Sequence, residues 1–457
     1  MTVSALLLVL LALTVASWMF ARQRASLLRR NQKLHSLPRY HGNFSALWCA
    51  LPALVILILW TAIEPTVING IMSEHISATS TEIEESQVGL IFNQIQLIET
   101  DQQLAQANEV TRQLSISYQS LLKSSNLYKT LLTILVAIAG ALISLRLVKP
   151  HFKARNSVET IILGLLVCAS SIAILTTVGI VMSVLFESIR FFQSVPITDF
   201  LFGTHWSPQT AIRANQVGST GSFGAIPLLA GTFLIALIAL FIAVPFGLMS
   251  AIYLSEYASP TLRSIAKPGL EVLAGIPTVV YGFFAALTVG PFIRNLGESI
   301  GLNPSSESAL VAGLVMGVMI IPFVSSLSDD VINAVPQSLR DGSYALGSTK
   351  SETIKKVIIP AALPGIVGSI ILAASRAIGE TMIVVMAAGL TAKLTANPLE
   401  SVTTVTVQIV TLLTGDQEFD SPKTLAAFAL GLLLFVITLL LNMIALHVVR
   451  KYREEYE

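Results

Sequence analysis

The chain is short of charge. Asp, Glu, Lys and Arg make up 12% of its 457 residues, while 53% are hydrophobic. A soluble globular chain carries about 25% charged residues, so a protein built around one large soluble core is excluded. Cysteine is nearly absent. Cys49 and Cys168 both lie in apolar blocks, outside any CxxC or Cys/His cluster. That excludes a disulfide framework and a zinc site and leaves two small apolar residues. The six histidines are scattered, with no metal-ligand spacing. A net charge of +1 decides nothing; where the charges fall decides more.

What the chain does have is apolar blocks, at about 3–20, 45–63, 129–148, 158–186, 226–252, 268–292, 308–326, 364–390 and 425–447. Each approaches or exceeds the roughly 20 residues that cross a bilayer core. Backbone amides in lipid must be satisfied within the segment, so these blocks are expected to be helices. The alternating ten-residue pattern of a membrane barrel is missing. The expected fold is all-α, a polytopic transmembrane helical bundle with nine spans.

The first block could pass for a signal peptide, but its positive charges follow the apolar run rather than precede it: Arg22, Arg24, Arg29, Arg30, Lys33 and Arg39. An uncleaved anchor with its N-terminus outside is expected. That orientation places 19 of the 28 Lys and Arg residues on the inner side, as the positive-inside rule asks. The C-terminus, with a tail at 450–457, is then cytoplasmic and the protein a multi-pass inner-membrane one.

Residues 64–128 form an expected outer insert with eight acidic residues. Ile83, Leu90, Leu97 and Leu104 recur every seven residues, yet Ser86, Asn93, Thr100 and Ala107 deny it the second apolar seam of a coiled coil. A pair of helices standing on the membrane is expected, either as an acidic spacer or as a contact for an outside partner. The chain thus divides into an N-terminal part at 1–157, a six-span core at 158–449 and the tail. Pro245, Pro277, Pro291 and Pro322 suggest kinked spans, and Gly313 with Gly317 a tight helix crossing.

The loop at about 336–364 differs from the others. Beginning in the stretch from Leu339, it reads as a short helix, a break at Gly347, and a second amphipathic segment stopped by Pro360. It resembles the EAA coupling loop of ABC importer permeases: Glu-Ala-Ala, three residues, Gly, nine residues, Ile, one residue, Leu-Pro. Asp341-Gly342-Ser343 stands at Glu-Ala-Ala, followed by Ala345, Leu346 and the matching Gly347. Val357 takes the Ile position and Ile359-Pro360 the Leu-Pro. The resemblance implies that this loop docks on an ATPase subunit. Gly342 and Gly347 also have the spacing of P-loop glycines, but Ser348 follows and Lys350 comes two positions late. No ATP site is expected in this chain, which is then not an enzyme and binds no cofactor; ATP and Mg belong to a partner.

Arg376 and Glu380 lie near the centre of the eighth block, where a charge costs roughly 2.5–3.5 kcal/mol. Their spacing of four puts both on one helix face, able to pair or to share a polar cavity. One reading makes Arg376 a guide for an oxyanion, its planar fork suited to phosphate oxygens, with Glu380 holding it or accepting from a P–OH group. The other is a structural ion pair.

The stretches 200–204, 253–258, 273–284 and 376–382 are similar to the PstC-type permease family of the phosphate importer, over about 158–449. That resemblance implies phosphate as cargo and alternating access. It also implies a sister permease (PstA-like), an ATPase pair (PstB-like) and a periplasmic phosphate-binding protein (PstS-like). A permease for sulfate or molybdate, a proton-driven transporter using Glu380, and a non-transporting phosphate-signalling protein remain open at this point.

Overall fold

A computed structural model describes residues 2–79, 109–210, 220–414 and 421–453. Among them, nine helices are long and apolar enough to cross a membrane. The chain forms two compact units, Met1–Leu175 and Thr176–Glu457. They divide within the helix Ala154–Ser194, rather than at the 157–158 junction expected from the apolar blocks. The residues carrying the seven-residue repeat, Ile83, Leu90, Leu97 and Leu104, lie outside the described residues.

In the first unit the helices Val3–Asn31, Pro38–Thr79 and Glu109–Arg146 pack side by side. Lipid offers no hydrophobic driving force, so small residues and hydroxyls make the seams. Leu10, Cys49, Ala53 and Ala137 form one buried contact. Ser45 hydrogen-bonds Ser17 at 2.6 Å and Ser144 at 2.6 Å, stitching all three helices. Glu64 accepts from Lys129 at 2.7 Å and from Ser125 at 2.5 Å. The described ends of the insert, to Thr79 and from Glu109, belong to the same helices as the spans.

In the second unit the antiparallel hairpin Trp206–Thr210 and Thr220–Phe223 adds a small sheet that hydropathy did not disclose. The helices Ile226–Ile252 and Ala309–Ala334 form the central crossing. A Cβ at Gly317 would lie 3.0 Å from the Ala239 carbonyl oxygen, and one at Gly313 would lie 2.7 Å from Ile238. The two glycines let the backbones meet, as their spacing suggested.

Two spans differ from expectation. The sixth does not run from 268 to 292. An amphipathic helix, Pro260–Ala274, ends at Gly275, and Pro277 then precedes the true span, Thr278–Ser299. Proline disfavours the helical conformation in its predecessor, and Ile276, after the Gly275 cap, lies outside the helix. The eighth does not run from 364 to 390. Its helix is continuous over Lys350–Ile378, so Pro360 does not stop it. A π-turn at Ile354–Ile358 widens the ladder just before Pro360, which then sits in the first turn of the next segment and needs no N–H there. The helix ends instead at Gly379, and a short helix, Met382–Ala387, follows. Gly389, at φ 99°, turns the chain into an irregular stretch leading to the helix Val405–Leu413.

Candidate functional site

The loop helix Gln337–Ala345 starts at Pro336 and ends where Gly347 takes φ 83°. That left-handed conformation suits glycine and no β-branched residue. Thr349 then caps the next helix: its hydroxyl accepts from the Glu352 N–H while the Glu352 carboxylate accepts from the Thr349 N–H. The result is the sharp knob that the spacing implied.

The loop helix has two faces. Arg340 and Ser343, three apart and so on one side, turn inward. Arg340 ion-pairs with Glu256, and its other nitrogen donates to the Ile332 carbonyl at 2.8 Å. The buried Ser343 hydroxyl meets Thr353 at 2.9 Å. Asp341, Gly342, Tyr344, Ala345 and Leu346 are exposed, Leu346 at 89%. So Ser343 is separated from its neighbours Asp341 and Gly342: it faces the spans, and they face outward. Val357 is half-buried and Pro360 exposed on the span below.

A second polar cluster gathers on Asp329. Asp329, buried near the end of Ala309–Ala334, accepts from Arg263 at 3.0 and 3.2 Å, from Lys267 at 2.8 Å and from the Asn333 amide at 2.9 Å. The Asp329 hydrogen bond raises Lys267 above the ordinary lysine value. Lys267, Phe323, Ser325 and Asp329 border a cavity of about 220 Å³. Neither Asp329 nor Glu256 was singled out from the sequence, although Glu256 stands in one of the family-like stretches. An acidic residue at the end of an apolar block was the available signal.

Arg376 and Glu380 do not share a helix face. Arg376 occupies the last turn of Ile359–Ile378, where the helix dipole favours a cation. Its guanidinium lies 5.2 Å from the centre of the Phe323 ring. Gly379 closes that helix, and Glu380 falls beyond it. Glu380 accepts from the Met382 N–H at 3.2 Å, and its main-chain carbonyl accepts from the Thr406 hydroxyl at 2.9 Å. Among the described residues no carboxylate pairs with Arg376, which remains exposed. Of the alternatives their spacing allowed, the Arg376–Glu380 pair is not formed: Arg376 is an open cation on an aromatic platform and Glu380 a carboxylate at a helix break.

Residues 243–454 match the profile of the binding-protein-dependent transport system inner membrane component, and residues 7–176 that of a phosphate ATP-binding cassette transporter. The probable ABC transporter permease protein YqgH of Bacillus subtilis strain 168 is 32% identical over 307 residues, covering 67% of this chain and 93% of that protein. The chain belongs to the binding-protein-dependent ABC permease family, of PstC type. The phosphate transport system permease protein PstC 1 of Mycobacterium tuberculosis strain H37Rv is 35% identical over 277 residues, 55% of this chain and 81% of its own. The PstC of Haemophilus influenzae strain Rd is 34% identical over 286 residues, 59% and 84% respectively. This permease is thus a multi-pass membrane transport subunit. Its first profile ends at residue 176, one residue past the end of the first compact unit.

Proposed function

We propose that this chain is the permease subunit through which an ATP-driven importer moves inorganic phosphate across the inner membrane. The observation that carries the reading is the two-faced loop helix at 337–345. A helix bolted inward by Arg340 and Ser343, with Tyr344 and Leu346 bare on its outer side, is built to receive force from a partner. The partner of that face is an ATPase pair (PstB-like), which holds the ATP and Mg; this chain holds no cofactor and hydrolyses nothing. Phosphate as cargo is supported by the names of the PstC relatives and by the profile over residues 7–176. A sister permease (PstA-like) and a periplasmic phosphate-binding protein (PstS-like) complete the assembly, with the N-terminus outside.

Within the spans, Arg376 is the group proposed to meet the cargo. Its fork fits two oxygens of a phosphate, and the Phe323 ring holds it without neutralising it. Glu380 is proposed to act on the path indirectly, by fixing the break after Gly379 through the Met382 N–H. On this reading, binding-protein docking outside and closure of the ATPase pair inside alternate the access of the cavity.

The test is ATP-dependent uptake of radiolabelled phosphate into vesicles holding this chain with its partner subunits. Competition by arsenate but not by sulfate or molybdate is expected. Uptake of sulfate or molybdate instead would keep the importer and remove phosphate. Uptake that persists without the ATPase and collapses with a protonophore would point to a proton-driven carrier. Absence of any uptake from a fully assembled complex would favour a signalling protein.

A further inference from the structure

The ion pair between Arg340 and Glu256 joins elements that the proposed ATPase docking does not by itself require to be joined. Glu256 lies in the π-turn Tyr253–Tyr257, which ends the span begun at Ile226. Its side chain is 6% exposed and that of Arg340 12%. Two charges so withdrawn from water recover the cost only in close, well-bonded geometry. Arg340 supplies it with two arms, one on Glu256 and the other on Ile332, in the last turn of Ala309–Ala334. One turn along the loop helix, Ser343 grips Thr353 at the start of the span Lys350–Ile378. Three spans therefore converge on the inner face of a helix nine residues long.

Each connection differs in kind. The Ser343–Thr353 contact is a neutral hydrogen bond between segments already linked by a short turn through Gly347. The Arg340–Glu256 contact is charged and links residues 84 apart in sequence. It meets the first span at a π-turn, where the Ala258 N–H reaches back to the Tyr253 carbonyl. Such a turn has a wider ring than the α-helix and often marks a functional site. The other two spans carry Arg376 and its platform Phe323. The loop helix is thus tied to the spans that carry the cation and its ring, and to the opposite side of the central crossing.

We propose that the buried Arg340–Glu256 pair is the joint that passes movement of the loop helix to the span Ile226–Tyr257, and that ATP hydrolysis drives transport only while this pair is intact. This rests on the reading of 337–345 as the ATPase-docking helix. Arg340 and Glu256 are positioning residues: neither needs to touch phosphate or ATP.

The experiment uses the whole complex, reconstituted with its ATPase and binding-protein partners, and measures both hydrolysis and phosphate uptake. Glu256→Gln and Arg340→Gln are each expected to lower phosphate moved per ATP by at least about tenfold, with the ATPase still bound and hydrolysing, as for a charge pair broken on one side. The double substitution is expected to be no worse than either single one, because both remove the same contact. Arg340→Lys, which keeps the charge but not both arms, should fall between. An unchanged ratio in both single variants overturns the joint, as do losses that multiply in the double variant. Loss of the chain or of the ATPase from the complex also overturns it, because the pair would then serve assembly. Leu346→Asp separates the two ideas. Release of the ATPase by that change supports the docking face; retention removes the docking reading whatever the pair does.

Discussion

The two units solve the problem of polar groups in a membrane differently. The first uses uninterrupted helices and turns its polar groups toward one another: Ser17 to Ser45 to Ser144, and Glu64 to Lys129. The second interrupts its helices and places polar groups at the interruptions. Glu256 sits in a π-turn, Glu380 follows a helix end, and Arg376 precedes one. Helical hydrogen bonds satisfy the backbone only while the helix continues, so every break in lipid needs a substitute partner. Thr406 on the Glu380 carbonyl is one such substitute. The difference teaches that the first unit is organised to stay as it is, and the second carries the joints.

That contrast can be broken most directly at its strongest contact. Lys129→Met should destabilise the first unit by about 4 kcal/mol, because it leaves the Glu64 carboxylate withdrawn from water without its cation. Thermal unfolding of the purified chain would register the loss, and an unchanged midpoint would mean that Glu64 finds another partner. Arg376→Gln should do the reverse: leave unfolding unchanged and cut phosphate uptake about a hundredfold, near the 3 kcal/mol scale of a lost charge contact. Full uptake in that variant would take Arg376 off the path. Gly347→Val forces a branched residue to φ 83° at a cost of about 2 kcal/mol. It should distort the knob and uncouple hydrolysis from uptake, read as phosphate moved per ATP. Smallest is Ser45→Ala, which removes the shared hydroxyl between three helices and should cost about 1 kcal/mol, seen as a modest drop in midpoint with uptake intact.

Much of the fold was legible because hydropathy is a property of composition, and the lipid enforces helices on apolar blocks. Both misplaced spans show where this stops. Beyond Glu380 and Thr381 the chain is apolar again from Met382 through Ala388, so composition ran the eighth span onward while the backbone had already turned. Pro360 was read as a stop because proline usually is one; the π-turn before it removed the conflict. The candidate site was legible to the same depth. Spacing located the loop and its glycine hinge, yet it could not say that Ser343 faces the spans while Asp341 faces out.

By itself the sequence determined the class of the protein, a charge-poor helical membrane protein, since bilayer thickness and backbone satisfaction act along the chain; the likeness of its 336–364 loop to a family pattern added the permease reading. Only the tertiary structure decided which charges meet. Arg340 finds Glu256 across 84 residues, Asp329 gathers Arg263 and Lys267, and Arg376 lies on Phe323 and leaves Glu380 to cap a break. The physical reason is that a charge is satisfied by whatever group packing brings to it, a counter-charge within about 3 Å for the withdrawn Asp329 and Glu256 or a ring face for the exposed Arg376, and sequence spacing does not record that neighbour.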